Sequence, residues 1–322
     1  MEILKRGLPE NLVDALCKLY QEGGWWTKVV EDPEAFVVPR KDCVCAYYRG
    51  NCLLRLEYHD NHIMGKVHYK YLLNPDFKPT YWNVEDGQVR RIDSAVLFIP
   101  NFSDLDLIKR ASKPYVGEEK DGVSEIIAAN PNIIDVEVAF GDSGDSTDED
   151  DETAPWVNGI NTRRKPRIDF VAVQDGGIAP KLVFFEAKHF RNLELRAKDK
   201  AKPSVVKQIE DYADVLEKHK EGVVEAYRRH CADMLKSNCV PKNDEVRRCF
   251  LGQVAESPTV EVDLKPRLVV FGFDADQKPG PKWNEHKEKL DEFLPGRVFT
   301  KGDAKDFVKG VRFRGREYAQ EP

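Results

Sequence analysis

Two neighbouring runs constrain the fold more than anything else in the chain. "RIDFVAVQ" (167–174) and "KLVFFEAK" (181–188) flank a "DGG" turn signal, and the second run holds four consecutive large apolar residues, Leu182 to Phe185. Such a run has no polar side, so it must be covered on both faces. The pair predicts a buried β-hairpin. Charged residues nevertheless stand at one end of it: Asp169 early in the first strand, Glu186 and Lys188 late in the second. Alternation along a strand puts Glu186 and Lys188 on one face, and the hairpin brings Asp169 to the same end.

The elements around the hairpin set its fold class. "GVSEIIAANPNII" (122–134) reads as a helix stopped by Asn-Pro. "IIDVEVAF" (133–140) reads as a strand, "SVVKQIEDYADVLEKH" (204–219) as an amphipathic helix running on to about 236, "RLVVFGFD" (267–274) as a buried strand and "WNEHKEKLDEFL" (283–294) as a helix. Strands with helices between and after them predict an α+β architecture, a mixed sheet flanked by helices. The chain before about 105 differs. After a helix at 9–22, residues 43–72 are β-rich and cut by "RGN" and "HDN", which predicts an antiparallel meander, and "AVLFIP" (95–100) reads as a further strand. The expectation is an N-terminal β-rich unit, 1–105, that folds separately and senses or admits the target, followed by a second unit, 106–322.

The 322 residues are 41% hydrophobic, enough for a core, and carry a net charge of −6, which argues against binding nucleic acid by bulk charge. No apolar run is long enough to span a membrane, and the N-terminus lacks a signal-peptide core. Seven cysteines form no even framework, so free thiols and a cytoplasmic location are expected. "CVC" (43–45) lacks the partners that would complete a zinc site. His59, His62 and His68 read as ordinary strand and turn residues. "GDSGDSTDEDDE" (141–152) has seven acids and no base, and reads as a solvated loop.

Two carboxylates and an ammonium at one strand end suit a hard divalent cation, which takes carboxylate and phosphate oxygens and removes the repulsion between the acids. Lysine beside such an ion can orient or deprotonate water, or stabilise charge developing on a phosphodiester. Locally the charge turns positive: residues 163–207 hold twelve lysines and arginines against five acids. A basic surface of that kind can hold a phosphate backbone.

"RKPRIDF…KLVFFEAKHF…VVKQIEDY" resembles the PD-(D/E)xK, or restriction-endonuclease-like, nuclease superfamily, most of all its RecB-like and defence-associated members. The match runs over roughly 115–275, with Ile168 where the family name implies proline. The resemblance implies a nuclease using Mg²⁺ or Mn²⁺, with DNA ahead of RNA as substrate and foreign nucleic acid as a target. It assigns catalysis to Asp169, Glu186, Lys188 and Gln208, with Tyr212 in support. Asp169 and Glu186 become metal ligands, joined by Glu125 from the preceding helix, with Glu118 and Glu119 as alternatives. Arg163, Arg164, Lys165, Arg167, Arg191 and Lys207 are the basic residues expected to meet nucleic acid. Members of this kind often pair to cut two strands, so a second copy is an expected partner. The competing reading is a silent nuclease-like domain that binds nucleic acid or a protein.

Overall fold

The computed structural model describes residues 4, 6–77, 84–85, 88–89, 97–140, 156–157, 160–161, 167–175, 179–197, 201–277 and 280–307. Its first part is a four-stranded antiparallel sheet of β1 (Ala35–Pro39), β2 (Cys43–Tyr48), β3 (Asn51–His59) and β4 (His62–Lys66), in that order. The two turn signals form two-residue hairpins. Arg49 and Gly50 have φ of 47° and 71°, Asp60 and Asn61 have 48° and 64°, the left-handed pairs that match strand twist. Helix α1 (Glu10–Gln21) lays Leu12, Leu16 and Tyr20 on this sheet, and α2 (Trp25–Glu31) adds Trp26, Val29 and Val30. A strand was expected over 95–100; among its described residues, 97–100, the pairing is a bridge from Phe98 to Leu73. Two-residue ladders join β5 (Val84–Glu85) to β6 (Gln88–Val89), and β8 (Trp156–Val157) to β9 (Ile160–Asn161).

The second part bears out the α+β expectation. Its mixed sheet runs β14 (Val298–Thr300), β13 (Arg267–Phe271), β11 (Pro180–His189), β10 (Arg167–Asp175), β7 (Ile133–Ala139), with β12 (Glu261–Val262) also on β11. The apolar run thus becomes the central strand, antiparallel to β10 and parallel to β13. Both faces are covered. Along β13, Val269 joins one buried cluster while Leu268 and Val270 join another with Trp283 and Leu290 of α8 (Pro281–Phe293). The remaining α-helices among the described residues are α3 (Leu105–Ser112), α4 (Glu118–Ala129), α5 (Ser204–Lys218), α6 (Lys220–Lys236) and α7 (Glu245–Glu256). The long helix expected from 204 breaks at His219 into α5 and α6.

The two sheets share an interior. One buried cluster runs from Phe36, Val38 and Tyr47 in the first to Ile134, Phe170 and Phe184 in the second. Helix α3, which begins at the expected boundary, packs Ile108 and Ala111 against Tyr48 and Leu53 of the first sheet. Asp135 on β7 sits within this interior, fully buried, and accepts from Arg6 Nη2 at 2.9 Å, Arg40 Nη1 at 2.7 Å and the Tyr227 hydroxyl at 3.2 Å. Burial works to raise its pKa, but Arg40 and Arg6 outweigh it and hold the carboxyl well below the usual range. Burial also pushes His230, alongside, down to about 4, so it stays neutral.

Removing one member of a buried ion pair strands the others and costs roughly 3–5 kcal/mol. Asp135→Ala should lose about that much in urea unfolding. A fragment of residues 106–322 lacks both arginines and should be insoluble or unfolded. A soluble fragment with a cooperative transition would show that residues 1–105 are dispensable to the second sheet.

Candidate metal and phosphate site

The strand register builds the site. Phe170 pairs with Phe185 and Val171 with Phe184, so one step further sets Asp169 opposite Glu186. On the other side Ile168 pairs with Val138 and Phe170 with Val136, which sets Glu137 opposite Asp169. Three carboxylates therefore form a row across β7, β10 and β11. Glu137 has a left-handed φ of 51°, uncommon for a residue other than glycine and a known mark of functional sites. Nothing local in "IIDVEVAF" distinguishes it, and only the register reveals its neighbour.

Glu186 is 1% exposed. Its Oε1 pairs with Lys188 Nζ at 2.9 Å, two residues along the same strand, and its buried Oε2 has no partner among the described residues. Lys188 Nζ also meets Glu194 Oε2 at 2.8 Å and Glu119 Oε1 at 3.7 Å. Asp169 Oδ2 accepts from the Ala187 backbone N–H at 2.6 Å, which ties the two strand ends together. Burial pushes Glu186 up to about 7, with Lys188 pulling the other way. Asp169 lies well above the ordinary carboxylate range through burial, then Glu186, then Glu137. Lys188 loses by burial but is raised overall by Glu186, Glu119 and Asp169, so it keeps its proton.

Other expected residues fall around this core. Gln208 donates to the Tyr212 hydroxyl at 2.9 Å. Burial and then Glu186 raise the phenol, which places it within the field of the carboxylates. Of the three acids on α4 expected near the metal, Glu119 reaches Lys188 and also accepts from Asn192 Nδ2 at 2.8 Å, while Glu118 faces Arg191 at 3.7 Å. Glu125 is exposed and lines, with Asp169 and Glu137, a cavity of about 140 Å³. Arg191 and Lys207 are exposed and Arg167 is half-buried. Arg163, Arg164, Lys165 and the acidic stretch 141–152 lie outside the described residues. The first sheet contributes to the cavity too: Phe36, Tyr47 and Arg49 line it.

Among the described residues no group of three or more His, Cys, Asp or Glu side chains is gathered closely enough to hold a metal ion, and all seven cysteines are free. The donor set still fits a divalent cation. A buried carboxylate oxygen without a hydrogen bond among the described residues, beside a second, half-buried carboxylate, is an arrangement that a cation would stabilise. No described helix is long and apolar enough to cross a membrane. Comparison with protein-family models, curated proteins and solved structures finds no match to this chain.

The raised Glu186 pKa makes stability depend on pH. The folded state holds the proton more tightly than the unfolded chain, whose carboxyl titrates near 4.5. Stability is thus complete below about pH 4.5 and declines as pH rises through 7, by about 3 kcal/mol at roughly 1.4 kcal/mol per unit. Urea unfolding of metal-free protein should show this slope, Glu186→Gln should flatten it, and Mn²⁺ should restore stability at pH 8.

Proposed function

We propose that the chain is a metal-dependent nuclease that hydrolyses phosphodiester bonds, with DNA ahead of RNA as substrate. One observation carries the reading: the buried, unpartnered Glu186 Oε2 beside Asp169, with Lys188 Nζ 2.9 Å from the other Glu186 oxygen. The resemblance of the Asp169, Glu186-x-Lys188 and Gln208-x-x-x-Tyr212 pattern to PD-(D/E)xK nucleases supports it.

In this reading Asp169 and Glu186 would hold Mg²⁺ or Mn²⁺, with Glu125 or Glu137 as a further carboxylate ligand. The bound ion supplies neutralisation of phosphate charge and a more acidic water. Lys188 is held by three carboxylates and keeps its proton, so it serves as a fixed positive charge for the developing phosphorane and not as the base. The Gln208–Tyr212 hydrogen bond fixes the polar face of α5 against the carboxylates, a positioning role.

Single- and double-stranded DNA and RNA, incubated with and without Mn²⁺, test the reading directly. Cleavage should require the ion and vanish in Asp169→Ala and Glu186→Ala. Lys188→Ala should keep Mn²⁺ affinity by calorimetry while losing activity by roughly 10²–10³, the scale of one lost charge-stabilising donor. Gln208→Ala should lose about 10–100-fold, as orienting groups do. Binding without cleavage under any condition would instead favour the silent nuclease-like domain.

A further inference from the structure

The cavity beside Asp169 contains a cation that the metal chemistry does not use. Its carboxylates stand in two groups. Glu34 and Asp121 are both occupied by Arg49, whose Nη2 lies 3.0 Å from Glu34 and whose Nη1 bonds Asp121. Glu125, Glu137 and Asp169 form the other group. Arg247, near the start of α7, lines the same space. Its guanidinium lies over the Phe36 ring at 4.7 Å, and its side chain is 15% exposed. The buried Nε makes no hydrogen bond among the described residues. Asp244 is its only ion-pair partner among the described residues, with Oδ2 3.2 Å from Nε. Burial lowers its pKa and Asp244 offsets only part of that, a sign of a charge removed from water without full compensation.

We propose that Arg247 is an anion-binding residue that takes the phosphate group of a nucleotide into this cavity, across from the Asp169 carboxylate. Two observations fit this. A guanidinium stacked on a ring has its orientation fixed, which favours forked binding to a phosphate. The cavity, about 140 Å³, has room for a phosphate group. The acidic lining, Glu125 and Asp169 among it, disfavours a bare anion, so the phosphate enters with a divalent cation present. This inference rests on the metal-site reading for that last condition alone. It also brings the first sheet into substrate binding, since Phe36 of β1 supplies the ring beneath Arg247.

Calorimetric titration of thymidine 5′-monophosphate, and separately of inorganic phosphate, into full-length protein with Mg²⁺ tests the proposal. Arg247→Met keeps an apolar stem over Phe36 but removes the fork. It should weaken monophosphate binding by roughly 10–100-fold, the worth of one charged hydrogen-bonding partner, while Mg²⁺ affinity and Tm stay close to wild type. Arg247→Lys, which keeps the charge without the fork, should fall in between, and it carries the test if the methionine variant does not fold. Equal binding of inorganic phosphate would mean that the site reads the phosphate alone, and much weaker binding that it also reads the nucleoside. Either supports the proposal if it depends on Arg247. Monophosphate affinity equal to wild type in the folded variants, or no monophosphate binding by the wild type with Mg²⁺, would overturn it. Wild-type protein that binds monophosphate through Arg247 but cleaves nothing would sink the nuclease reading and leave this site standing. Cleavage with an unchanged KM in Arg247→Met would do the reverse.

Discussion

The arrangement of this protein depends on one carboxylate kept dry. Asp135 has no access to water, and a lone ionised group there would be untenable. Two guanidinium groups from the first 40 residues make it tenable. One of them, Arg40, also donates through Nη2 to the carbonyl of Val136. That grip falls immediately before Glu137, the residue with the left-handed backbone beside Asp169. The first sheet is therefore fastened to β7 within two residues of the carboxylate row. Whatever fixes Arg6 and Arg40 also fixes the geometry of the candidate site.

The same economy governs the row itself. Three acids on adjacent strands repel one another, and the fold tolerates them by different means. Lys188 takes one oxygen of Glu186, a backbone N–H takes one of Asp169, and burial raises the Glu186 pKa, which favours its uncharged form. Among the described residues the other oxygen of Glu186, Oε2, is left without a hydrogen bond. Helices α5 and α6, turning at His219, connect the two charged centres: α5 presents Gln208 and Tyr212 toward the row, and α6 presents Tyr227 to Asp135.

What could be read in the sequence was whatever announces itself locally. The apolar run 182–185 has only one environment open to it, and the acid and lysine at its end stand out because buried charge is rare. The hairpin turns at 49–50 and 60–61 likewise declare themselves through residue type. Strand β1, "AFVVP", was missed because five residues ending in a proline carry no period of their own, and they become a strand only by pairing with β2. Helix α7, with Val246 exposed and a weakly amphipathic pattern, gave no clear stripe to follow. Glu137 and Arg247 were invisible for a further reason. Their significance lies in neighbours 32 and 211 residues away in the chain, Asp169 and Phe36, which no local window contains.

The Asp135 cluster also bears on how the chain reaches its folded state. Its contacts to Arg6 and Arg40 span 129 and 95 residues. Loops of that length must close before either charge pair can form, and a transition state that awaits such closures is reached slowly. During synthesis the two arginines emerge well before residue 135, so the meander spends that interval with Phe36, Val38 and Tyr47 uncovered and β1 as an open edge. Exposed strands of this kind associate readily with other chains. The contact that makes the finished protein coherent thus leaves its nascent form dependent on protection, and recovery of soluble material will be sensitive to translation rate and chaperone supply.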